Sequence, residues 1–101
     1  DVNGAASIRR ALPQAISVFI MPPSLQSLKD RLYKRGTDDA DIIERRLNAA
    51  LREILRADEY DYIVVNDDLN EAAEQLCGII RAAESSSYRK KHIINEVLEN
   101  A

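Results

Sequence analysis

Apolar residues recur at two different periods along this chain, and the two periods predict alternating strands and helices. Nearly continuous apolar runs occupy residues 16–21 and 60–65, and such runs are typical of strands that are buried on both faces of a parallel sheet. Apolar residues three or four positions apart, which indicate helices, mark the segments before, between and after these runs. The alternation predicts an α/β fold with a parallel sheet.

The longest helical pattern, residues 25–56, predicts two helices that meet at a tight corner. Gly36 is suited to the left-handed conformation that ends a helix. Thr37 or Asp38 can cap the helix that follows. The pattern therefore predicts a helical hairpin between the two strands.

Arginine side chains border the apolar faces of this hairpin. At about 100° per residue, Arg31 and Arg35 lie roughly 40° apart at the edge of the first apolar face. Arg46 borders the second face, whereas Arg45 points away from it. Guanidinium groups match phosphate oxygens bidentately, so one interpretation is a lid that closes over a multiply anionic ligand. The alternative is exposed charge, since basic residues favour the carboxyl ends of helices.

Polar residues follow the predicted strands, at the end of an open parallel sheet where ligands bind. Asn66 comes directly after the second apolar run and could use its amide donor and acceptor to contact a base edge. Asp1 could mark the end of a third strand, with Gly4 allowing a close approach of the backbone. The alternatives are turn and helix-capping chemistry alone for Asn66, Asp67 and Asp68, and an ordinary loop carboxylate for Asp1.

Composition narrows the function classes. The 101 residues suffice for one small domain, and 14 basic against 17 acidic residues give a net charge of −3, which argues against a general nucleic-acid surface. A single cysteine, Cys77, favours a reducing compartment such as the cytoplasm. No apolar run approaches the ~20 residues that cross a bilayer, so we expect no membrane partner.

Several kinds of catalytic centre are missing from the sequence. One histidine and one cysteine make no metal-binding constellation. No serine has the setting of an activated nucleophile, and no glycine-rich phosphate loop occurs. The chain starts at Asp1, inside what looks like an element, and has only two convincing strands. We therefore expect it to be part of a longer protein that supplies the remaining strands.

Short motifs in the chain resemble those of the guanylate kinases, nucleoside monophosphate kinases of the P-loop class. Five of them occur in order and at family-like spacing, at residues 1–5, 20–24, 31–37, 46–47 and 60–68. The resemblance covers residues 1–84 and corresponds to the carboxyl-terminal half of such an enzyme, which lacks the P-loop. Asn3 departs from the family's usual glutamine by one methylene.

The resemblance implies a P-loop-type nucleoside monophosphate kinase fold, with this chain forming the carboxyl-terminal part of the parallel sheet and the lid helices. It implies ATP-dependent phosphorylation of GMP to GDP with Mg²⁺. Arg31, Arg35 and Arg46 would reach nucleotide phosphates from the closing lid. Asn66 would lie beside the adenine of ATP, and Asp1 near GMP and the metal, although no residue here is assigned as a metal ligand.

The resemblance also divides the chain. Residues 1–101 would form a partial kinase domain, with a lid hairpin at about 34–57 and a carboxyl-terminal tail helix at about 85–101 that matches no motif. Its partners would be GMP, ATP and the missing amino-terminal half of the same domain. Alone, the chain would be inactive and could associate with itself through unpaired strand edges.

Two alternatives remain open on the sequence. The first is a non-catalytic guanylate-kinase-like interaction module of the kind found in scaffold proteins. Retention of Arg31, Arg35 and Arg46 together argues for the enzyme. The second is a small helical piece whose arginines bind an acidic partner, and the two apolar strand patterns argue against it.

Overall fold

A computed structural model describes residues 2–12, 14–34 and 39–100, without the side chains of Val2 and Arg9. Helices and strands alternate along these residues, as predicted. In chain order the elements are α1 Val2–Ala11, β1 Val18–Met21, α2 Leu25–Lys34, α3 Ala40–Leu55, a 3-10 turn Ala57–Glu59, β2 Tyr62–Val65, α4 Leu69–Glu84 and α5 Lys91–Glu99.

The two strands pair in parallel, which confirms the predicted kind of sheet. The register sets Val18 against Tyr62 and Met21 against Val65. At the carboxyl ends of the two strands, the main-chain amide of Asn66 donates to the Met21 carbonyl at 2.8 Å. An all-helical piece, the second alternative left open by the sequence, is contradicted by this pairing.

Both strands begin two residues later than the apolar runs predicted, because side chains and a turn occupy the backbone groups there. The amide of Ser17 donates to the Asp61 carboxylate at 2.8 Å instead of to a strand carbonyl. Asp61 in turn donates its own amide to the Ser17 hydroxyl at 3.1 Å. The amide of Tyr60 donates to the Ala57 carbonyl at 3.1 Å, which closes the 3-10 turn.

Side-chain caps start three of the helices. Ser24 Oγ accepts from the Ser27 amide at 3.0 Å, and Asp68 Oδ1 accepts from the Glu71 amide at 3.0 Å, the capping role that the sequence left open for Asp68. Helix α3 differs, because its cap is Asp39, whose Oδ1 accepts from the Ile42 amide at 2.9 Å. The prediction of Thr37 or Asp38 as this cap was therefore wrong.

Burial of the strands on both faces, which the sequence predicted together with further strands from a longer protein, is not reached within the described residues and stays a prediction. Ile20, Ile63 and Val65 are 51%, 47% and 46% exposed, and Val64 is the one strand residue that is buried. Helix α4 packs against β2, and α2 packs against α3. Among the described residues no further strand lies beside β1 or β2, so about half of the surface of several strand residues stays exposed.

The helix surfaces show the same lack of a large core. The buried apolar residues of the described chain are Ile43, Ala57, Val64 and Ala72. The apolar residues of α5 are all exposed, namely Ile93, Ile94, Val97 and Leu98. The Cα radius of gyration is 18.7 Å, whereas roughly 13 Å is usual for a compact domain of about 100 residues. The described helices and strands therefore form an extended arrangement that encloses only a small core.

Candidate functional site

The carboxyl ends of β1 and β2 bring together the residues that follow them. The hydrogen bond from the Asn66 amide to Met21 sets Asn66 at the point where both strands stop. Its side chain is half-buried. This is the end of a parallel sheet at which ligands bind, so the structure places Asn66 where the sequence predicted a site.

Helix α2 carries Arg31 to the same point. The helix starts shortly after β1, because Ser24 caps it directly after the Pro22-Pro23 pair that ends the strand. Arg31 lies in the last turn of α2. Its Nη2 donates to the main-chain carbonyl of Asn66 at 3.1 Å. Two of the predicted site residues, far apart in sequence, are therefore in direct contact. A guanidinium has five N–H donors, so this bond leaves others for a ligand.

Of the other predicted site residues, the structure describes Arg46 but not Arg35 or Asp1. Arg46 lies on α3 with an exposed side chain, three residues beyond the buried Ile43, and the neighbouring Arg45 is exposed as well. Arg35, Gly36 and Asp1 lie outside the described residues. The roles predicted for Arg31, Arg35, Arg46 and Asn66 in nucleotide binding stay predictions.

A second arginine contact links the hairpin to α1, and sequence reasoning missed it. Arg56 ends α3, and its Nε and Nη2 donate to the two carboxylate oxygens of Glu59 at 2.6 and 3.0 Å. Its Nη1 donates to Asn3 Oδ1 at 3.1 Å. The hydrogen bond to Glu59 raises the pKa of Arg56 above its usual value. The three-residue spacing of Arg56 and Glu59 was visible in the sequence, but nothing there indicated that Arg56 would contact Asn3.

The described residues contain no group of three or more histidine, cysteine or acidic residues that could hold a metal ion. A protein-held Mg²⁺ needs oxygen ligands in near-octahedral geometry. Asp1, the residue expected near the metal, lies outside the described residues. No described helix is both long and apolar enough to span a bilayer.

The motifs and this arrangement agree with a comparison against protein-family models. A model described as guanylate kinase matches residues 1–83. The chain belongs to the guanylate kinase family. This confirms the family that the sequence motifs indicated, together with the predicted α/β kinase fold.

Curated guanylate kinases of bacteria resemble the chain over most or all of its length. The guanylate kinase of Neisseria meningitidis serogroup B is 46% identical over 101 residues, which is 100% of this chain and 49% of that protein. That of Hahella chejuensis is 49% identical over 82 residues, which is 81% of this chain and 39% of that protein. The chain therefore spans about half the length of the curated relatives it matches.

A solved structure supports the fold independently. The crystal structure of guanylate kinase from Anaplasma phagocytophilum superposes with a TM-score of 0.72 at 32% sequence identity. The match covers 88% of this chain and 41% of that one. The helices and the parallel strand pair described above thus have the arrangement of a guanylate kinase.

Proposed function

We propose that this chain supplies the lid arginines and part of the adenine site of a guanylate kinase that transfers a phosphoryl group from ATP to GMP. The observation that carries the proposal is the contact between Arg31 and the Asn66 carbonyl at 3.1 Å. It joins the predicted phosphate-binding helix to the predicted adenine-binding strand end. Family membership supports the reaction, and this contact supports the proposed location of the site.

The chemistry suits residues of this type. Phosphoryl transfer depends on positioning and on stabilising negative charge spread over the phosphate oxygens, more than on covalent steps by the protein. Arg31 and Arg46 lie on α2 and α3, which pack against each other. A helical hairpin that closes over both nucleotides can bring guanidinium groups to the transferring phosphate and exclude water from it.

The proposal assigns the β- and γ-phosphates to a different part of the enzyme. No glycine-rich phosphate loop occurs in these 101 residues, so the amino-terminal half of a kinase domain would supply it. The same half would supply strands beside β1 and β2. The Mg²⁺ that the family resemblance implies would enter with ATP as part of the substrate.

The experiment is a nucleotide assay on the complete protein that contains this chain. Conversion of ATP and GMP to ADP and GDP is followed by chromatography, with AMP, CMP and UMP as competing acceptors. We expect GDP to form with a strong preference for GMP, and Arg31→Ala to slow its formation. Arg45→Ala is the matched control, because Arg45 is exposed on the adjoining helix and was predicted to point away from the site.

Absence of any GDP would contradict the enzyme and favour the non-catalytic interaction module. Calorimetry with GMP and ATP on the same preparation separates the two cases further. An enzyme binds both nucleotides, whereas an interaction module that has lost its phosphate-binding groups binds neither.

A further inference from the structure

The carboxyl end of α3 is fixed to the described chain near the start of β2, away from the strand ends where the nucleotides are proposed to bind. Arg56 ends the helix, and its Nη1 donates to Asn3 Oδ1 in the first turn of α1 at 3.1 Å. The next residue, Ala57, is buried. Beyond it, the Tyr60 ring meets the Phe19 ring of β1 edge to face, with the ring centroids 5.1 Å apart. The segment that leaves α3 is therefore held against both α1 and β1.

Within this segment, Glu59 sets the orientation of the Arg56 guanidinium. Two N–H···O bonds, at 2.6 and 3.0 Å, join Nε and Nη2 to the two carboxylate oxygens. Such a fork adds geometric definition as well as attraction. Nη1 is the remaining guanidinium nitrogen, and it is the one that donates to Asn3. One side chain thus links the end of α3, the 3-10 turn and α1.

Small changes in the direction of α3 at Arg56 become larger displacements at Arg46. Arg46 lies ten residues before Arg56 on the same helix, a separation of about 15 Å at the usual rise per residue. A tilt of roughly 10° about the Arg56 end therefore moves Arg46 by roughly 2–3 Å. Catalytic groups tolerate little displacement, since a misplacement of about 1 Å can cost ~10²-fold in rate. Contacts at the end of α3 can consequently affect a phosphate that they do not touch.

We propose that Arg56 is a positioning residue for phosphoryl transfer, which fixes the direction of α3 and with it the place of Arg46. Glu59 orients its guanidinium, and Asn3 is its partner on α1. Arg31 attaches α2 to the end of β2, so each helix of the hairpin is attached separately. The inference rests on the proposed guanylate kinase function, in which Arg46 acts on the transferring phosphate.

Arg56→Ala in the complete kinase removes the link between α3 and α1. We expect kcat to fall about tenfold or more. The melting temperature should fall no further than in Arg52→Ala, because the side chains of Arg56 and Glu59 are 42% and 41% exposed and such ion pairs add little stability. Arg52→Ala is the matched control, since Arg52 is exposed in the last turn of the same helix and carries the same charge. A kcat of wild-type size in Arg56→Ala would overturn the proposal.

A double variant separates positioning through Arg46 from a general loss of structure. If Arg56 acts through Arg46, adding Arg56→Ala to Arg46→Ala should lower kcat by no more than about twofold further, because changes that act on one interaction are not additive. A general loss of structure would lower kcat by the full factor in either background. Full additivity of the two losses would therefore contradict the assignment of Arg56 to Arg46.

Distances between two spin labels test the direction of α3 without catalysis. Cys77, the single cysteine of this chain, is exposed on α4, which packs against β2. Arg45→Cys supplies the second label on α3, with any cysteine elsewhere in the complete protein replaced by serine. Without nucleotide, the distribution of distances measured by electron paramagnetic resonance should broaden or shift in Arg56→Ala and stay unchanged in Arg52→Ala.

The same distances separate this inference from the proposed reaction. If the complete protein formed no GDP, the proposed function would fail, while the label distances still reported whether Arg56 fixes α3. An unchanged distribution in Arg56→Ala would show that Arg56 does not hold the helix, whatever the activity of the enzyme.

Discussion

Arg31 donates to the main-chain carbonyl of Asn66 at 3.1 Å, not to its side chain. Because the acceptor belongs to the backbone, substitution of Asn66 leaves this hydrogen bond in place. The side-chain amide of Asn66 and the guanidinium of Arg31 can therefore be tested separately, even though the two residues are in contact. Arg31 ties helix α2 to the end of β2 whether or not the Asn66 side chain binds a nucleotide.

In the complete kinase, Asn66→Ala should weaken ATP binding and leave GMP binding nearly unchanged. Losing one neutral hydrogen bond costs roughly 0.5–1.5 kcal/mol, which corresponds to a severalfold rise in the KM for ATP. Thermal stability should change little, because the main-chain amide of residue 66 still donates to the Met21 carbonyl and its main-chain carbonyl still accepts from Arg31. An unchanged KM for ATP beside a large rise for GMP would show that the two nucleotide sites are reversed.

Arg35→Ala and Arg46→Ala should each lower kcat far more than they lower stability. Removing one preorganised donor to transition-state charge typically costs ~10²–10³-fold in rate. The Arg46 side chain is exposed, so its truncation removes little buried surface. Steady-state kinetics and thermal melting of the same preparations give the two quantities.

Arg45→Ala provides the comparison for both variants. Arg45 neighbours Arg46 on α3 and is also exposed, so it matches the change in net charge without occupying the predicted rim of the hairpin. We expect its kcat to stay within about twofold of wild type, since a surface substitution of this kind is usually near neutral. Equal, small losses in all three variants would reduce the arginines to exposed surface charge.

Sequence periodicity predicted the elements and the kind of sheet, because parallel pairing and helical faces repeat over many residues. It failed where a single side chain decided the outcome. The carboxylate of Asp61 takes the amide of Ser17, which delays the start of β1, and Asp39 caps α3 in place of Thr37 or Asp38. Such choices depend on one contact that no pattern records.

The site was predicted as a set of residues and not as a set of contacts. Arg31 and Asn66 were both singled out, but for a phosphate and a base, and their hydrogen bond to each other was not anticipated. Arg56 and Asn3 were missed as a pair because they meet across the fold. The partial exposure of the strands agrees with the expectation of further strands, since apolar composition tells what a strand can pack against and not whether that neighbour is present.

Asp61→Ala should destabilise the complete kinase by about 1–2 kcal/mol, the scale of losing hydrogen bonds to a charged acceptor near the surface. Asp61 Oδ2 accepts from both the amide and the hydroxyl of Ser17, at 2.8 and 3.2 Å. Its loss leaves the first residue before β1 without these partners. Urea unfolding measures the change.

Asp58→Ala is the matched control for this prediction. Asp58 lies three residues earlier in the 3-10 turn and is exposed, so it removes the same charge without touching the strand pair. We expect its unfolding midpoint to be close to that of wild type. A midpoint for Asp61→Ala that equals the control would show that the Ser17 contacts contribute nothing to stability.

The last prediction concerns residues 1–101 expressed alone. Buried apolar residues are few in the described chain, while Ile20, Ile63 and Val65 on the strands are about half exposed. Each strand pairs with one described neighbour, which leaves backbone groups on the outer edges open to another chain. Extended surfaces and open edges of this kind favour association over a stable monomer.

We therefore expect the isolated chain to self-associate or to unfold without a sharp transition, and to form no GDP. Size-exclusion chromatography with light scattering gives its mass over a range of concentrations, and the nucleotide assay gives its activity. Addition of a separately expressed amino-terminal half of a guanylate kinase, with its P-loop, should suppress self-association, because its strands would cover the edges of β1 and β2. A monomer of 101 residues that unfolds cooperatively by itself would mean that the few buried residues suffice as a core.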